Sequence, residues 1–368
     1  MNLTFKQYIS EDSENLIFEG GNVQINGEEA GTIDLEIHDR KDVTKRIKRS
    51  LSKLNDAFKL QNGLYLWKPQ VLTDNLIFSG STKHLFDEAI ADDHLKDHKS
   101  KFGDIDTMID ETLKKTLKEF LEKHNSEKFG DLELIGTKTT GGQIITLWKF
   151  EKYKTNIQID FEDVEFTAEG EPTEWSHFSH SSPFEDLTSG IKGVFHKLLL
   201  GSLMAPKKVD AVEQLKTKQK EIIAGTHTLS VKGMREKYKV IGKHESGKPL
   251  VMATNSTEYI RNFIEIFYEV FGKYPEPKPD VKKFWSFKGL IELIQDYMER
   301  NQIEDVRESF IEKLYGKGAQ SLYRNDNERD AEEKQIALDY LSDELKIDTD
   351  TDELRINDLK KVYYKKKK

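Results

Sequence analysis

Asp104 and Asp106 stand on either side of Ile105 in the segment Phe102-Gly103-Asp104-Ile105-Asp106-Thr107-Met108-Ile109. On a β-strand, residues two apart project to the same face. The two carboxylates would then lie side by side while Ile105 enters a core. Like charges that close repel each other, and a divalent cation between them removes the penalty. Mg²⁺ and Mn²⁺ favour such oxygen donors. Phosphoryl transfer depends on these ions to neutralise a polyphosphate and activate the attacking oxygen. Asp-x-Asp is equally the pattern of a solvated loop, so the pair needs support from elsewhere in the chain.

Two features supply it. Phe78-Ser79-Gly80-Ser81 follows the apolar segment Leu76–Phe78, read as a strand, and precedes a helix expected from about Lys83 to Leu95. Gly80 lets the backbone pass close to a ligand, and free N–H groups at a helix start attract phosphate. Ser81 is equally a plain helix N-cap. The second feature is Asp160 in Asn156-Ile157-Gln158-Ile159-Asp160-Phe161. Ile159 and Phe161 share the opposite face, so Asp160 points away from the core they enter. Glu162 lies on the Asp160 face and is the reserve candidate.

Gly-Ser after a strand, Asp-apolar-Asp on a strand and a lone Asp on a later strand together resemble the polymerase-β-like nucleotidyltransferase superfamily, over roughly residues 64–200. The resemblance implies that Gly80 and Ser81 hold the triphosphate and that Asp104 and Asp106 ligate two Mg²⁺ or Mn²⁺ ions. Asp160 would ligate the catalytic ion and help to activate the acceptor hydroxyl. It also implies a nucleotide contact from a Ser and a Lys on a following helix, here Ser189 with Lys192 and Lys197 in Thr188-Ser189-Gly190-Ile191-Lys192-Gly193 and just beyond; exposed lysines at a helix start are the plainer account. The stretch from Ser81 to Asp104 exceeds the family spacing, with Ala91–Lys101 read as a charged, inserted loop. Asp92-Asp93 sits nearer the usual spacing but lacks the intervening apolar residue.

Other groups carry less. Lys83 reads as a surface lysine within reach of phosphate. His177 and His180 fall in an apparent loop, and with His196 they show no zinc-ligand spacing. No Gly-x-x-x-x-Gly-Lys-Ser/Thr loop occurs, so P-loop chemistry has no support. Trp285, Phe284 and Phe287 would stack on a base or, at helical spacing, fill a core.

The 368 residues carry a formal net charge of −9, with 33% charged residues and no cysteine. The charge argues against sequence-blind nucleic-acid binding over the whole surface. The missing cysteines exclude disulfides and thiolate chemistry. Met1–Lys6 is too polar for a signal peptide, and the longest apolar stretch, residues 194–205, is broken by His196 and Lys197. A membrane span needs about 20 apolar residues, so the expectation is a cytoplasmic protein without a membrane partner. The start Phe5-Lys6-Gln7-Tyr8-Ile9-Ser10-Glu11 resembles those of tailed-bacteriophage proteins, which would make that cytoplasm a host's.

The elements that must position these residues follow from periodicity. Short strands are expected near Asn15–Phe18 and Thr32–Ile37, with a turn at Asn26-Gly27. Val43, Ile47, Leu51, Leu54 and Phe58 predict a basic amphipathic helix over 41–59. A strand is expected over Ile105–Ile109 and a helix over Thr112–His124. Strands Leu132–Lys138 and Gln143–Phe150 flank Thr139-Thr140-Gly141-Gly142, and Thr155–Phe161 alternates as a half-buried strand. The fold class is therefore α+β, a nucleotidyltransferase-like mixed sheet flanked by helices. It comprises an extension over 1–60, a catalytic domain over 61–200, and a mostly helical domain over 201–368. In that last domain a short β interval spans Thr226–Thr254, helices are expected near Thr257–Phe271, Val281–Arg300, Ile303–Leu314 and Glu328–Leu345, and Pro275–Pro279 forms a stiff connector. The lysine-rich tail, Lys360–Lys368, would either bind a nucleic-acid backbone or only solubilise. The expected function is transfer of an NMP from an NTP, ATP among the four, to an acceptor hydroxyl such as an RNA 3′ end, releasing pyrophosphate. The alternative is a catalytically silent binding or structural protein of a phage that keeps the same fold.

Overall fold

A computed structural model describes residues 23–140, 143–188, 198–201, 221–230, 232–243, 246, 249–256, 258–262, 264–266, 268, 280–301, 335–337 and 339. The chain forms two compact units. One is Ile17–Gly190, and the other joins Met1–Leu16 to Ile191–Lys368. The Asn15–Phe18 strand, the Pro275–Pro279 connector, the helix near Ile303–Leu314 and the lysine tail lie outside the described residues.

The first unit is built on a five-stranded mixed sheet. Strands β1 (Gln24–Ile25) and β2 (Glu28–Glu29) form a separate small hairpin, and β3 (Ile33–Asp34) pairs with β4 (Lys101–Phe102). The main sheet contains β5 (Asp104–Asp110), β6 (Lys128–Phe129), β7 (Leu132–Thr139), β8 (Gln143–Phe150) and β9 (Thr155–Val164), in the order β5-β9-β8-β7-β6. Only the β5–β9 pair is parallel. The β1–β2 turn is Asn26-Gly27, with φ of 55° and 83°, the left-handed pair that a two-residue hairpin turn requires. The expected strand over Thr32–Ile37 is limited to the two residues of β3.

Helix α1 (Arg40–Asn62) covers one face of the sheet. Asp39 caps it by accepting from the Asp42 N–H at 2.7 Å. Gly63, at φ 74°, ends it by donating to the Lys59 carbonyl. Val43, Ile47, Leu51, Leu54 and Phe58 are all buried, in the core that also receives Ile105, Ile159 and Phe161. The amphipathic helix read from the sequence thus belongs to the sheet unit. Helix α2 (Pro69–Thr73) follows, and Asn55 fixes the intervening chain by accepting from the Leu66 and Trp67 N–H groups.

The segment after Gly80 departs from expectation. The single helix predicted over Lys83–Leu95 is two, α3 (Thr82–Phe86) and α4 (Asp92–His98). The cause is Arg40, whose buried guanidinium donates to the carbonyls of His84, Leu85, Asp87 and Ile90. Those oxygens would otherwise accept helical N–H bonds. Arg40 also pairs with Asp92 at 3.0 Å. Residues 91–101 are consequently no loop: α4 buries Leu95 completely and β4 buries Phe102. Leu76–Phe78 is a turn, with Asn75 at φ 61° and one antiparallel bridge, Phe78 to Thr107. The helix expected from Thr112 opens with a 3₁₀ turn, Glu111–Leu113, and continues as α5 (Lys114–Lys123). His177 and His180 lie on helix α6 (Glu174–His180), capped by Thr173, and α7 (Phe184–Thr188) follows.

In the second unit the β interval is longer than expected. Strands β10 (Glu221–Ser230), β11 (Gly233–Lys243) and β12 (Pro249–Ser256) form an antiparallel meander. Helix α8 (Phe287–Asn301) follows a 3₁₀ turn at Val281–Trp285. Phe287 is fully buried, which assigns it to the core rather than to base stacking. Among the described residues, no helix is long and apolar enough to cross a membrane.

Candidate metal centre

The parallel register places Asp104 opposite Gln158 and Asp106 opposite Asp160. All four side chains therefore share one sheet face, while Ile105, Ile159 and Phe161 enter the core on the other. Each of Asp104, Asp106 and Asp160 offers a carboxylate oxygen, and these atoms lie within 4.8 Å of one another. Asp104 and Asp106 are half-buried; Asp160 is 2% exposed. The donor set is entirely hard oxygen, which fits Mg²⁺ or Mn²⁺ rather than a softer metal.

The electrostatics are those of a site short of positive charge. Burial, followed by the charge of Asp104, pushes Asp160 up to about 7, against the opposing hydrogen bond from Gln158. Burial, then Asp104, Glu162 and Asp160, raise Asp106 well above the usual carboxylate range. A cation among the three would relieve both.

Neighbouring residues hold the acids in place. Gln158 Nε2 donates to both oxygens of Asp160, at 3.0 and 2.9 Å, while Gln158 Oε1 accepts from the Val23 N–H. Thr82 Oγ1 donates to the Asp104 carbonyl and accepts from the Asp106 N–H. Thr107 Oγ1 donates to the Asp160 carbonyl at 2.8 Å. Glu162, the reserve acid, is buried behind the three and accepts from Ser79 Oγ at 2.9 Å. His180 Nε2 lies 3.9 Å from Glu162 Oε2. Sequence reading missed Gln158 and Thr82. The signal for Gln158 was its period-two spacing from Asp160, which puts both on one face.

The Gly80-Ser81 turn adjoins the acids, although its groups act differently from the sequence reading. The Gly80 N–H is engaged by the His180 carbonyl at 2.5 Å, so it does not serve a phosphate. The Ser81 side chain makes no capping bond to α3. Its Oγ accepts from Lys99 Nζ at 2.5 Å. Gly80 contributes space and backbone conformation. Its φ is 55°, and a Cβ there would collide with Asp106 Oδ2 and stand 3.2 Å from Asp106 Cγ. Gly80→Ala is therefore expected to displace the Asp106 carboxylate and weaken Mn²⁺ binding about 10-fold or more, the range for losing support of a metal ligand. Titration of Mn²⁺ into both proteins checks this; equal affinities would separate Gly80 from the site.

Lys83, buried along much of its length, has its ammonium disfavoured by that burial. Burial, and then Lys83, hold both His84 and His177 down to about 4, so both imidazoles are neutral at pH 7. Ser189, Lys192 and Lys197 lie outside the described residues. Comparison with protein-family models, with curated proteins and with solved structures finds no match to this chain.

Proposed function

We propose that the Ile17–Gly190 unit is the catalytic part of a metal-dependent nucleotidyltransferase of polymerase-β-like type. It moves an NMP from an NTP to an acceptor hydroxyl and releases pyrophosphate. The observation that carries this reading is the convergence of Asp104, Asp106 and Asp160 from two paired parallel strands, beside a Gly-Ser turn closed against Asp106. Asp106 and Asp160, both raised by burial and by the Asp104 charge, gain little for the fold without a cation beside them.

Asp104 and Asp106 would hold both ions, and Asp160 would hold the one on the acceptor side. Two such ions would neutralise the triphosphate and acidify the attacking hydroxyl. With the ion bound, the Asp160 carboxylate would be deprotonated and would help to activate the acceptor hydroxyl. Gln158 fixes the Asp160 carboxylate so that both oxygens keep one orientation. An RNA 3′ end is one acceptor that fits this reading.

The test is to incubate the protein with each labelled NTP, Mg²⁺ or Mn²⁺, and total RNA, and to follow pyrophosphate release alongside calorimetric NTP binding. Metal-dependent binding of at least one NTP, with release of pyrophosphate, is expected. Absence of metal-dependent NTP binding for all four would overturn the active-site reading.

A further inference from the structure

Residues 87–101 fold into an arm that ends at the acids. Arg40 anchors the arm's start through the carbonyls of Asp87 and Ile90 and the carboxylate of Asp92. Leu95 and Phe102 bury themselves on either side of Lys99. The Lys99 N–H donates to the Leu95 carbonyl at 2.7 Å, closing α4. The Lys99 ammonium lies 5.0 Å from the centre of the Phe102 ring and bonds Ser81 Oγ. With its backbone fixed by α4, the long side chain is thus held at two points, with its charge beside the Gly-Ser turn.

That turn needs a charge from somewhere if it is to hold a polyphosphate. Helix α3 has only five residues, too few for an appreciable dipole at its start. The Gly80 N–H is already engaged. Lys83 places its charge beside His84 and His177, which are neutral, while the Lys99 ammonium is bonded to Ser81 Oγ itself. Lys99 is half-buried and sits close enough to Asp106 to act on it. An ammonium is a compact point charge suited to phosphate oxygens.

We propose that Lys99, delivered by the arm, is the cation that binds the terminal phosphates of the nucleotide, sharing them with Ser81 Oγ. This rests on the nucleotidyltransferase reading of the acids. Neutralising the Lys99 side chain should therefore weaken ligands that carry a polyphosphate and spare those without one.

The experiment uses the full chain with Mg²⁺ and measures the affinity of an NTP, the matching NMP and inorganic tripolyphosphate. Lys99→Met keeps the stem over Phe102 and removes the charge; Lys99→Arg keeps the charge. Lys101→Ala, a neighbouring lysine on the surface 3.5 Å from Asp34, is the control. Lys99→Met should weaken NTP and tripolyphosphate about 10-fold or more while NMP stays within about 2-fold, the scale of one charged hydrogen-bond partner. Lys99→Arg should recover most of the loss, and Lys101→Ala should change nothing. Wild-type affinity in Lys99→Met, or equal losses for NTP and NMP, overturns the assignment of Lys99 and leaves the acid site standing. A wild-type protein that binds Mn²⁺ but neither NTP nor tripolyphosphate overturns both. Should Lys99→Met melt below wild type, the contrast between Lys99→Arg and Lys99→Gln at one temperature gives the same decision.

Discussion

Asp106→Asn is expected to lower Mg²⁺-dependent pyrophosphate release by about 10³-fold or more, the scale for removing a principal group that stabilises transition-state charge. In the metal-free protein the same substitution is expected to raise the melting temperature. The two signs follow from one arrangement. Asp106 is disfavoured as an anion first by burial and then by Asp104, Glu162 and Asp160. Asn has nearly the same shape, keeps the N–H bonded to Thr82 Oγ1 and carries no charge. It removes the repulsion, stabilising the empty site by about 1–2 kcal/mol, a few degrees for a unit of this size. It also removes the donor that two ions would share. A carboxylate kept for folding alone would behave oppositely: its loss would lower the melting temperature and leave turnover largely intact. Activity within about 3-fold of wild type, or a lower melting point without metal, would remove Asp106 from the centre of the site.

How much of this was legible in the sequence depends on the range of the interaction. Asp104, Asp106 and Asp160 were readable because period two is local: each strand's alternation fixes which face a residue takes. The pairing of Asp106 with Asp160 was not readable, since register between parallel strands about fifty residues apart is set by the core they share with α1. The α1 stripe from Val43 to Phe58 was readable for the same local reason, and its caps, Asp39 and Gly63, extend it by only a few residues. The split of the next helix was hidden. Residues 83–95 carry adequate helical patterning, and what breaks them is Arg40, more than forty residues upstream. Lys99 was hidden as well. One lysine in a charged stretch has no distinguishing spacing, and only the closure of α4 against Phe102 aims it at Ser81. Gly80 was identified for a conformational reason, and the structure adds a steric one: its missing Cβ is room for Asp106.

Measured against the Asp106→Asn, Asp160→Asn double variant, the metal-free protein is expected to lose stability as pH rises from about 4.5 to 7.5, and Mn²⁺ is expected to cancel that relative loss. Unfolded, an Asp titrates near its ordinary value of 3.8; folded, Asp160 titrates at about 7. Between those values the folded chain holds a proton that the unfolded chain has released. More protons bound in the folded state means that stability falls with rising pH. Three units at about 1.4 kcal/mol each give a loss on the order of 4 kcal/mol from Asp160, and Asp106, also raised, continues it above neutrality. His84 and His177, held down to about 4, act the other way and add stability from about pH 4 to 6.5, but the double variant keeps both, so the difference between the two proteins isolates the acids. Asp42 does not enter that difference either. Its carboxylate is held below the usual range, first by Lys152 and then by Tyr153, so its own contribution is lost only at lower pH. A divalent ion requires the deprotonated carboxylates, so its binding expels the proton and tightens as pH rises. Urea denaturation at pH steps, in EDTA and in saturating Mn²⁺, measures both curves. The double variant should gain on the wild type in EDTA as pH rises and should show no Mn²⁺ effect. A wild-type EDTA curve that runs parallel to the double variant's, or gains on it, across the interval would mean that the acids do not repel one another in the empty site. An Mn²⁺ stabilisation equal at pH 5 and pH 7 would mean that the ion binds elsewhere.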